Sequence, residues 1–209
     1  GIGIVPLMLN FKAGSNAEFL GSIPLYEQFA SELAAQGVDL IMLTGAPPFM
    51  LLGPQKEAEL IAEWGRRFKT PVVTDPQMQA AGLRAMKIKR FIGASYSALQ
   101  NKIVLDYMSA AGFEAVSMEP IDVPFDQVAQ ISVEQLYSHI KTQFRKHPGA
   151  DGIYIQGGGW QTMRVIQMLE TDLQVPVVHA TAANAWMILK HLAVRETKPG
   201  TGRLLAELP

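Results

Sequence analysis

The feature that most constrains the fold is a regular alternation of short apolar runs with helix-like segments along the chain. Runs such as VDLIMLT at 38–44 and DGIYIQ at 151–156 have few charged residues, as in strands that are buried on both faces. Such strands occur in parallel sheets that are covered by helices, so the sequence predicts an α/β fold. Strands are predicted at 1–9, 38–44, 71–74, 90–95, 113–119, 151–156 and 175–180.

Two parts of the chain resemble each other. VDLIMLTG, a helix-like segment and TPVVTD in the first part correspond to ADGIYIQGG, a helix-like segment and VPVVHAT in the second. The similarity predicts an N-terminal half at 1–90, a C-terminal half at 91–196 and a tail at 197–209 that extends beyond the core. The alternative is that any two strand–helix units look alike, because they share one pattern.

Composition excludes several classes of function. The net charge is −1 and no segment is strongly basic, so nucleic acid is not an expected partner. No apolar run approaches the roughly 18 residues of a membrane span, and no basic leader is visible, so we expect a cytoplasmic protein. The chain has no cysteine, and its histidines are not paired at ligand spacing, so we expect no metal site.

Polar residues and glycines stand at the ends of four predicted strands. Ligands of open parallel sheets bind outside the carboxyl ends of the strands, and glycine lets a ligand approach backbone N–H groups there. The alternative is that glycine only permits a tight turn. No dinucleotide fingerprint, phosphate loop or nucleophile elbow is present, so we expect no cofactor. The four strand ends are 6–10, 44–47, 95–96 and 156–159.

Five segments, taken in order, resemble the aspartate/glutamate racemase superfamily, and within it the arylmalonate decarboxylase and maleate cis-trans isomerase branch. The resemblance implies two α/β halves related by a pseudo-twofold axis, with the active site in the cleft between them. It also implies cofactor-independent chemistry on a small carboxylate and a homo-oligomer. The segments are IVP at 4–6, LTGAPPFMLLG at 43–53, GLRAMKIKRFIGASYSALQN at 82–101, ADGIYIQGGGWQT at 150–162 and VPVVHATAANAW at 175–186.

The chain departs from this family at its reactive positions. The resemblance places a cysteine after the second and fifth strands, where this sequence has Gly45 and Gly157. Racemisation by two thiols and thiolate addition to maleate are therefore excluded. The hydroxyl side chains that the decarboxylase uses after the first glycine correspond to Ala46 and Pro47, whereas the carboxylate-binding tyrosine corresponds to Tyr96.

Other groups must then supply the chemistry. We predict that Tyr96 and the amides of 157–159 stabilise an enolate-like charge, and that His179 and Asp75 transfer protons as a facing pair in place of the cysteines. Alternatively, Asp75 caps its own helix, His179 is a hydrogen-bonded core residue and Tyr96 only packs. The predicted substrate-binding residues are Asn10, Gly45, Ala46, Pro47, Asn101, Gly157, Gly158 and Gly159.

Cleavage of a carbon–carbon bond depends less on cysteine side chains than racemisation does. The sequence therefore favours a lyase of the decarboxylase type that acts on a small carboxylic or dicarboxylic acid, aryl-substituted acids included. One alternative is an isomerase, racemase or hydratase that uses His179 and Asp75. The other is a family member that binds a small carboxylate without turnover.

Overall fold

The protein is described by a computed structural model that covers residues 1–12, 14–121, 123–197 and 199–206. The chain forms two compact units, Gly1–Asp75 and Pro76–Pro209, which we call unit 1 and unit 2. Both are built from parallel strands and helices, so the predicted α/β class is correct. The division near residue 90, which rests on the internal similarity of the sequence, stays a prediction.

Unit 1 packs four helices around a short parallel sheet. Strands β1 and β2 pair in parallel, with Ile41 opposite Val72. The side chains of Phe49 and Trp64 are among the largest in its core and are almost fully buried. The elements are α1 (Asn16–Gly21), α2 (Ile23–Ala35), β1 (Ile41–Leu43), α3 (Ala46–Leu52), α4 (Pro54–Phe68) and β2 (Val72–Thr74).

The predicted first strand is absent from the described structure. Residues 1–9 have no regular secondary structure, and the side chains of Ile4 and Met8 are 84% and 83% exposed. An apolar run forms a strand only when a neighbouring strand accepts its hydrogen bonds, and the described sheet of unit 1 contains β1 and β2 alone. Asn10 is consequently exposed and does not stand at a strand end, contrary to the prediction.

Unit 2 is a four-stranded parallel sheet in the order β4-β3-β5-β6. Helices connect its successive strands, because parallel neighbours need crossover connections. Its first helix, α5, begins at the last residue of unit 1. The elements are α5 (Asp75–Ala85), β3 (Arg90–Ser95), α6 (Ala98–Ala110), β4 (Glu114–Pro120), a 3₁₀ helix (Phe125–Gln130), α7 (Val133–Lys146), β5 (Gly152–Ile155), α8 (Met163–Leu173), β6 (Val177–His179), α9 (Ala180–His191) and α10 (Arg203–Ala206).

The strand order creates a switch point between β3 and β5. The chain leaves β3 for β4 on one side of the sheet, and then adds β5 and β6 on the other side. The connections after β3 and β5 therefore diverge, and ligands of open α/β sheets bind at such a switch point. Register places Ala94 opposite Ile155, and the N–H of Gln156 donates to the carbonyl of Ala94 at 2.9 Å. Tyr96 and the glycines at 157–159 both follow at this edge.

The tail does not extend freely beyond the core. Leu204 and Leu205 in α10 are 2% and 4% exposed. The carboxylate of Glu170 in α8 accepts the N–H of Arg203 at 2.8 Å, which fixes the start of α10. The expectation of an extended tail is wrong at this point, because the polar stretch ends in an apolar pair that packs into unit 2.

Candidate active site

The loop after β5 requires glycine at its second position, Gly157. Gly157 has φ +112°, and a Cβ there would lie only 2.5 Å from the hydroxyl of Tyr96. A Cβ on Gly159 would lie 3.1 Å from the same oxygen, which is also a tight contact. At Gly158 the nearest atom would be the hydroxyl of Thr181 at an ordinary 3.8 Å. The backbone at 157 and 159 is therefore shaped around the ring of Tyr96.

Tyr96 lies directly after β3 and is held over this loop. Its hydroxyl oxygen accepts the N–H of Gly159 at 2.5 Å, and its ring packs on Trp160 with centroids 4.9 Å apart. The side chain is 7% exposed, and burial raises the pKa of its phenol to about 12. Tyr96 is therefore neutral near pH 7 and keeps the proton of its O–H group.

Two buried polar atoms beside the glycines have no hydrogen-bond partner among the described residues. They are the carbonyl oxygen of the Gln156 side chain and the indole N–H of Trp160, in side chains that are each 5% exposed. Buried polar groups are normally satisfied, so unsatisfied ones next to a glycine loop point to a ligand or water. A pocket of about 310 Å³ opens at this loop. Its lining includes Gly158, Trp160, Arg164 and Thr181.

His179, at the end of β6, lies in the interior of unit 2. Its side chain is 0% exposed, and burial lowers its pKa to about 4. One ring nitrogen, Nε2, lies 2.8 Å from the carbonyl oxygen of Gly157, and the other lies 2.8 Å from the hydroxyl of Thr162. Both nitrogens are thus bonded within the protein, which argues against the predicted transfer of a proton from His179 to a substrate and agrees with the core-histidine alternative.

Asp75 directly follows β2 in unit 1, much as His179 stands at the end of β6 in unit 2. One of its carboxylate oxygens accepts the N–H of Gly45 at 2.7 Å, and the side chain is 9% exposed. Gly45 has φ +94°, and a Cβ there would lie 2.7 Å from the hydroxyl of Tyr26. That hydroxyl donates to the carbonyl of Thr44 at 2.5 Å, and burial is the main reason why the pKa of Tyr26 is raised. Asp75 therefore fixes the turn after β1.

Three further predicted binding residues serve the fold. Ala46 and Pro47 begin α3, where Ala46 is 3% exposed and Pro47 is half-buried. The amide of Asn101 accepts a hydrogen bond from Ser95 and donates one to the carbonyl of Met118 at 2.8 Å. Asn101 is 7% exposed, and it links the ends of β3 and β4. Its predicted contact with a substrate would require these bonds to be replaced.

Sequence reasoning did not single out Arg164 and Thr181, which both line the pocket. A signal for them is present in the sequence. Each lies in the first turn of a helix that follows β5 or β6, and helix starts at the carboxyl edge of a parallel sheet face the ligand crevice. Arg164 is exposed and brings a positive charge to the pocket.

Comparisons with known proteins identify the family of this chain. The model of the arylmalonate decarboxylase family matches residues 9–205. The chain belongs to the arylmalonate decarboxylase family. Arylmalonate decarboxylase of Bordetella bronchiseptica is 24% identical over 181 residues, which cover 85% of this chain and 75% of that protein.

Solved structures with the same fold come from two kinds of enzyme. Unliganded arylmalonate decarboxylase superposes with a TM-score of 0.82 at 23% identity, over 94% of this chain and 85% of that one. The maleate isomerase Iso from Pseudomonas putida S16 superposes with a TM-score of 0.83 at 21% identity, over 93% and 81%.

The family assignment confirms the predicted branch of the aspartate/glutamate racemase superfamily, and it confirms that the chain is an enzyme of that superfamily. The homo-oligomeric state, the cytoplasmic location and the roles of single residues stay predictions. None of the helices within the described ranges is both long and apolar enough to cross a membrane.

Proposed function

We propose that this enzyme is a cofactor-independent lyase that removes CO2 from a small dicarboxylic acid of the malonate type, aryl-substituted malonates included. The family assignment supports decarboxylase or isomerase activity on small carboxylates. The observation that carries the finer proposal is the neutral phenol of Tyr96, which the N–H of Gly159 holds over the glycine loop at the switch point of the sheet.

The reaction needs stabilisation of developing negative charge. When the bond between the α-carbon and the departing carboxylate breaks, its electron pair moves into the remaining carboxylate and forms an enolate. Hydrogen-bond donors that are already in place lower the free energy of that species, because they need no reorganisation as the charge develops. We assign two donors to the two oxygens of the enolate: the O–H of Tyr96 and the backbone N–H of Gly158, which is an exposed residue.

Neighbouring groups fit the rest of such a substrate. The positive side chain of Arg164 and the first turn of α8 favour an anion in the pocket. The ring of Trp160 offers an apolar surface to an aryl or alkyl substituent, and its indole N–H lacks a partner among the described residues. Because His179 is buried and bonded, we assign the proton that replaces CO2 on the α-carbon to solvent water at the open pocket.

Proton NMR in D2O with methyl(phenyl)malonate tests the proposal directly. This substrate has no hydrogen on the α-carbon, so decarboxylation in D2O must yield 2-phenylpropanoate with deuterium on the α-carbon. Tyr96→Phe keeps the ring but removes the hydroxyl, and we expect kcat to fall roughly a hundredfold. Tyr137→Phe is the matched control, because it removes a phenol that bonds to Asp172 on the surface.

Carboxylate binding without turnover is the second candidate function. The observation that favours it is that both predicted acid–base residues, His179 and Asp75, hold backbone groups of the protein. Phenylacetate and maleate can be titrated against the protein by calorimetry. Binding of these acids together with no turnover of methyl(phenyl)malonate, methylmalonate or maleate would replace the lyase proposal by this one. Isomerisation of maleate without loss of CO2 would instead indicate an isomerase.

A further inference from the structure

The hydrogen bonds of His179 determine which of its nitrogens carries the proton. The backbone N–H of Thr181 points at Nδ1 from 3.2 Å, and an amide N–H can only donate. Nδ1 must therefore accept, and the hydroxyl of Thr162, which can rotate, donates to the same nitrogen. A neutral imidazole then carries its proton on Nε2, which donates to the carbonyl of Gly157 at 2.8 Å.

This bond fixes the direction of a whole peptide group. The peptide between Gly157 and Gly158 is trans and planar, so its carbonyl and its N–H point in opposite directions. The carbonyl points to the buried imidazole of His179, and the N–H of Gly158 consequently points away from the interior, where Gly158 is exposed. Two consecutive glycines have a wide choice of backbone angles, so an outside contact is needed to hold one orientation.

We propose that His179 is a positioning residue, which holds the Gly157–Gly158 peptide so that the N–H of Gly158 is presented to an oxygen of a carboxylate or enolate ligand. The inference rests on the proposed function of the glycine loop and assigns His179 no contact with the substrate. Its bond to Gly157 restricts this peptide to one orientation, in which the N–H of Gly158 is already placed as a donor. Donors that are oriented in advance stabilise developing charge most effectively.

Two substitutions separate positioning from other roles. His179→Gln places an amide N–H near the former Nε2 and retains a donor to Gly157, whereas His179→Asn reaches only as far as the former Nδ1 and loses that donor. We expect His179→Asn to lower kcat for methyl(phenyl)malonate roughly a hundredfold with little change in KM, because the lost donor acts on the transition state. We expect His179→Gln to stay within roughly tenfold of the original enzyme and to keep its pH profile.

Equal activity of the two variants would overturn the inference, and so would loss of an ionisation from the pH profile of His179→Gln. A measurement on the unaltered protein covers the case in which a variant does not fold. Long-range ¹H–¹⁵N NMR identifies the protonated nitrogen of His179, and we expect Nε2–H; finding Nδ1–H would overturn the inference. If the unaltered protein neither converts methyl(phenyl)malonate nor binds phenylacetate, the proposed function fails, and the NMR result still decides the orientation of the peptide.

Discussion

Acidification should weaken unit 2 through one side chain, His179. Its pKa is 6.5 in the unfolded chain and about 4 in the folded protein, chiefly because burial disfavours the charged imidazolium. Between these two values the unfolded chain binds more protons than the folded protein does, so the free energy of unfolding must rise with pH in this range. The stabilising contribution is complete above pH 6.5 and is lost as the pH falls towards 4.

The size of the effect follows from the two pKa values. Full loss of the contribution corresponds to about 3 kcal/mol, and the part that is lost between pH 7 and pH 5 is about 2 kcal/mol. Such a change is a large fraction of the stability of an ordinary domain. Carboxylates elsewhere in the chain also titrate in this range, so the effect of His179 has to be isolated by a comparison.

His179→Gln provides that comparison, because glutamine does not titrate. Urea unfolding is followed by tryptophan fluorescence in a Trp64→Phe background, because Trp64 lies in unit 1. The remaining signal comes from Trp160 and Trp186 in unit 2, which are each 5% exposed. The stability difference between the unaltered protein and the variant should shrink by about 2 kcal/mol from pH 7 to pH 5. A difference that stays constant would refute the reasoning, since it would mean that His179 is not held neutral by burial.

Three further predictions concern the turns and the tail. Gly157→Ala should destabilise the protein by about 3 kcal/mol in urea unfolding, because it combines positive φ with a clash against Tyr96, whereas Gly158→Ala should change stability by less than about 0.5 kcal/mol. Glu170→Ala should cost about 2 kcal/mol and increase hydrogen exchange in α10, because its carboxylate accepts the amides that begin β6 and α10; unchanged exchange would contradict this role. Asp75→Ala should destabilise unit 1 by about 2 kcal/mol in urea unfolding. Asp75→Asn should destabilise it by less, because the asparagine oxygen still accepts the N–H of the glycine after β1. Equal losses of stability in the two variants would show that the charge of Asp75 matters more than this hydrogen bond.

The sequence predicts most of this fold because its elements are recognisable from local patterns. Six of the predicted strands lie where β1–β6 are found, and each apolar run is short enough to exclude a helix. The segment 1–9 has the same pattern but lies outside the described sheet. Whether an apolar run becomes a strand depends on a partner strand, and the run itself does not contain that information.

Prediction of the candidate site from the sequence is limited in a similar way. The rule for strand ends correctly brings Tyr96 to the glycines at 157–159, because the order of the strands alone makes these ends neighbours. The same rule correctly places His179 and Asp75 at strand ends. It does not say whether a side chain turns towards a ligand or towards the interior, since this depends on which backbone groups need a partner nearby.

The close contact between Tyr96 and Gly157 also restricts how this enzyme can change its chemistry. A cysteine at position 157 would bring its Cβ onto the phenol, so a thiol cannot be added there while Tyr96 stays where it is. Replacing Tyr96 first by a smaller residue would remove the hydroxyl that accepts the N–H of Gly159. Either single step is unfavourable in this structure, so a thiol at position 157 also requires a change that moves or replaces the ring of Tyr96. A laboratory selection for thiol-dependent activity should recover a cysteine at 157 together with a second change that makes room for it beside this ring.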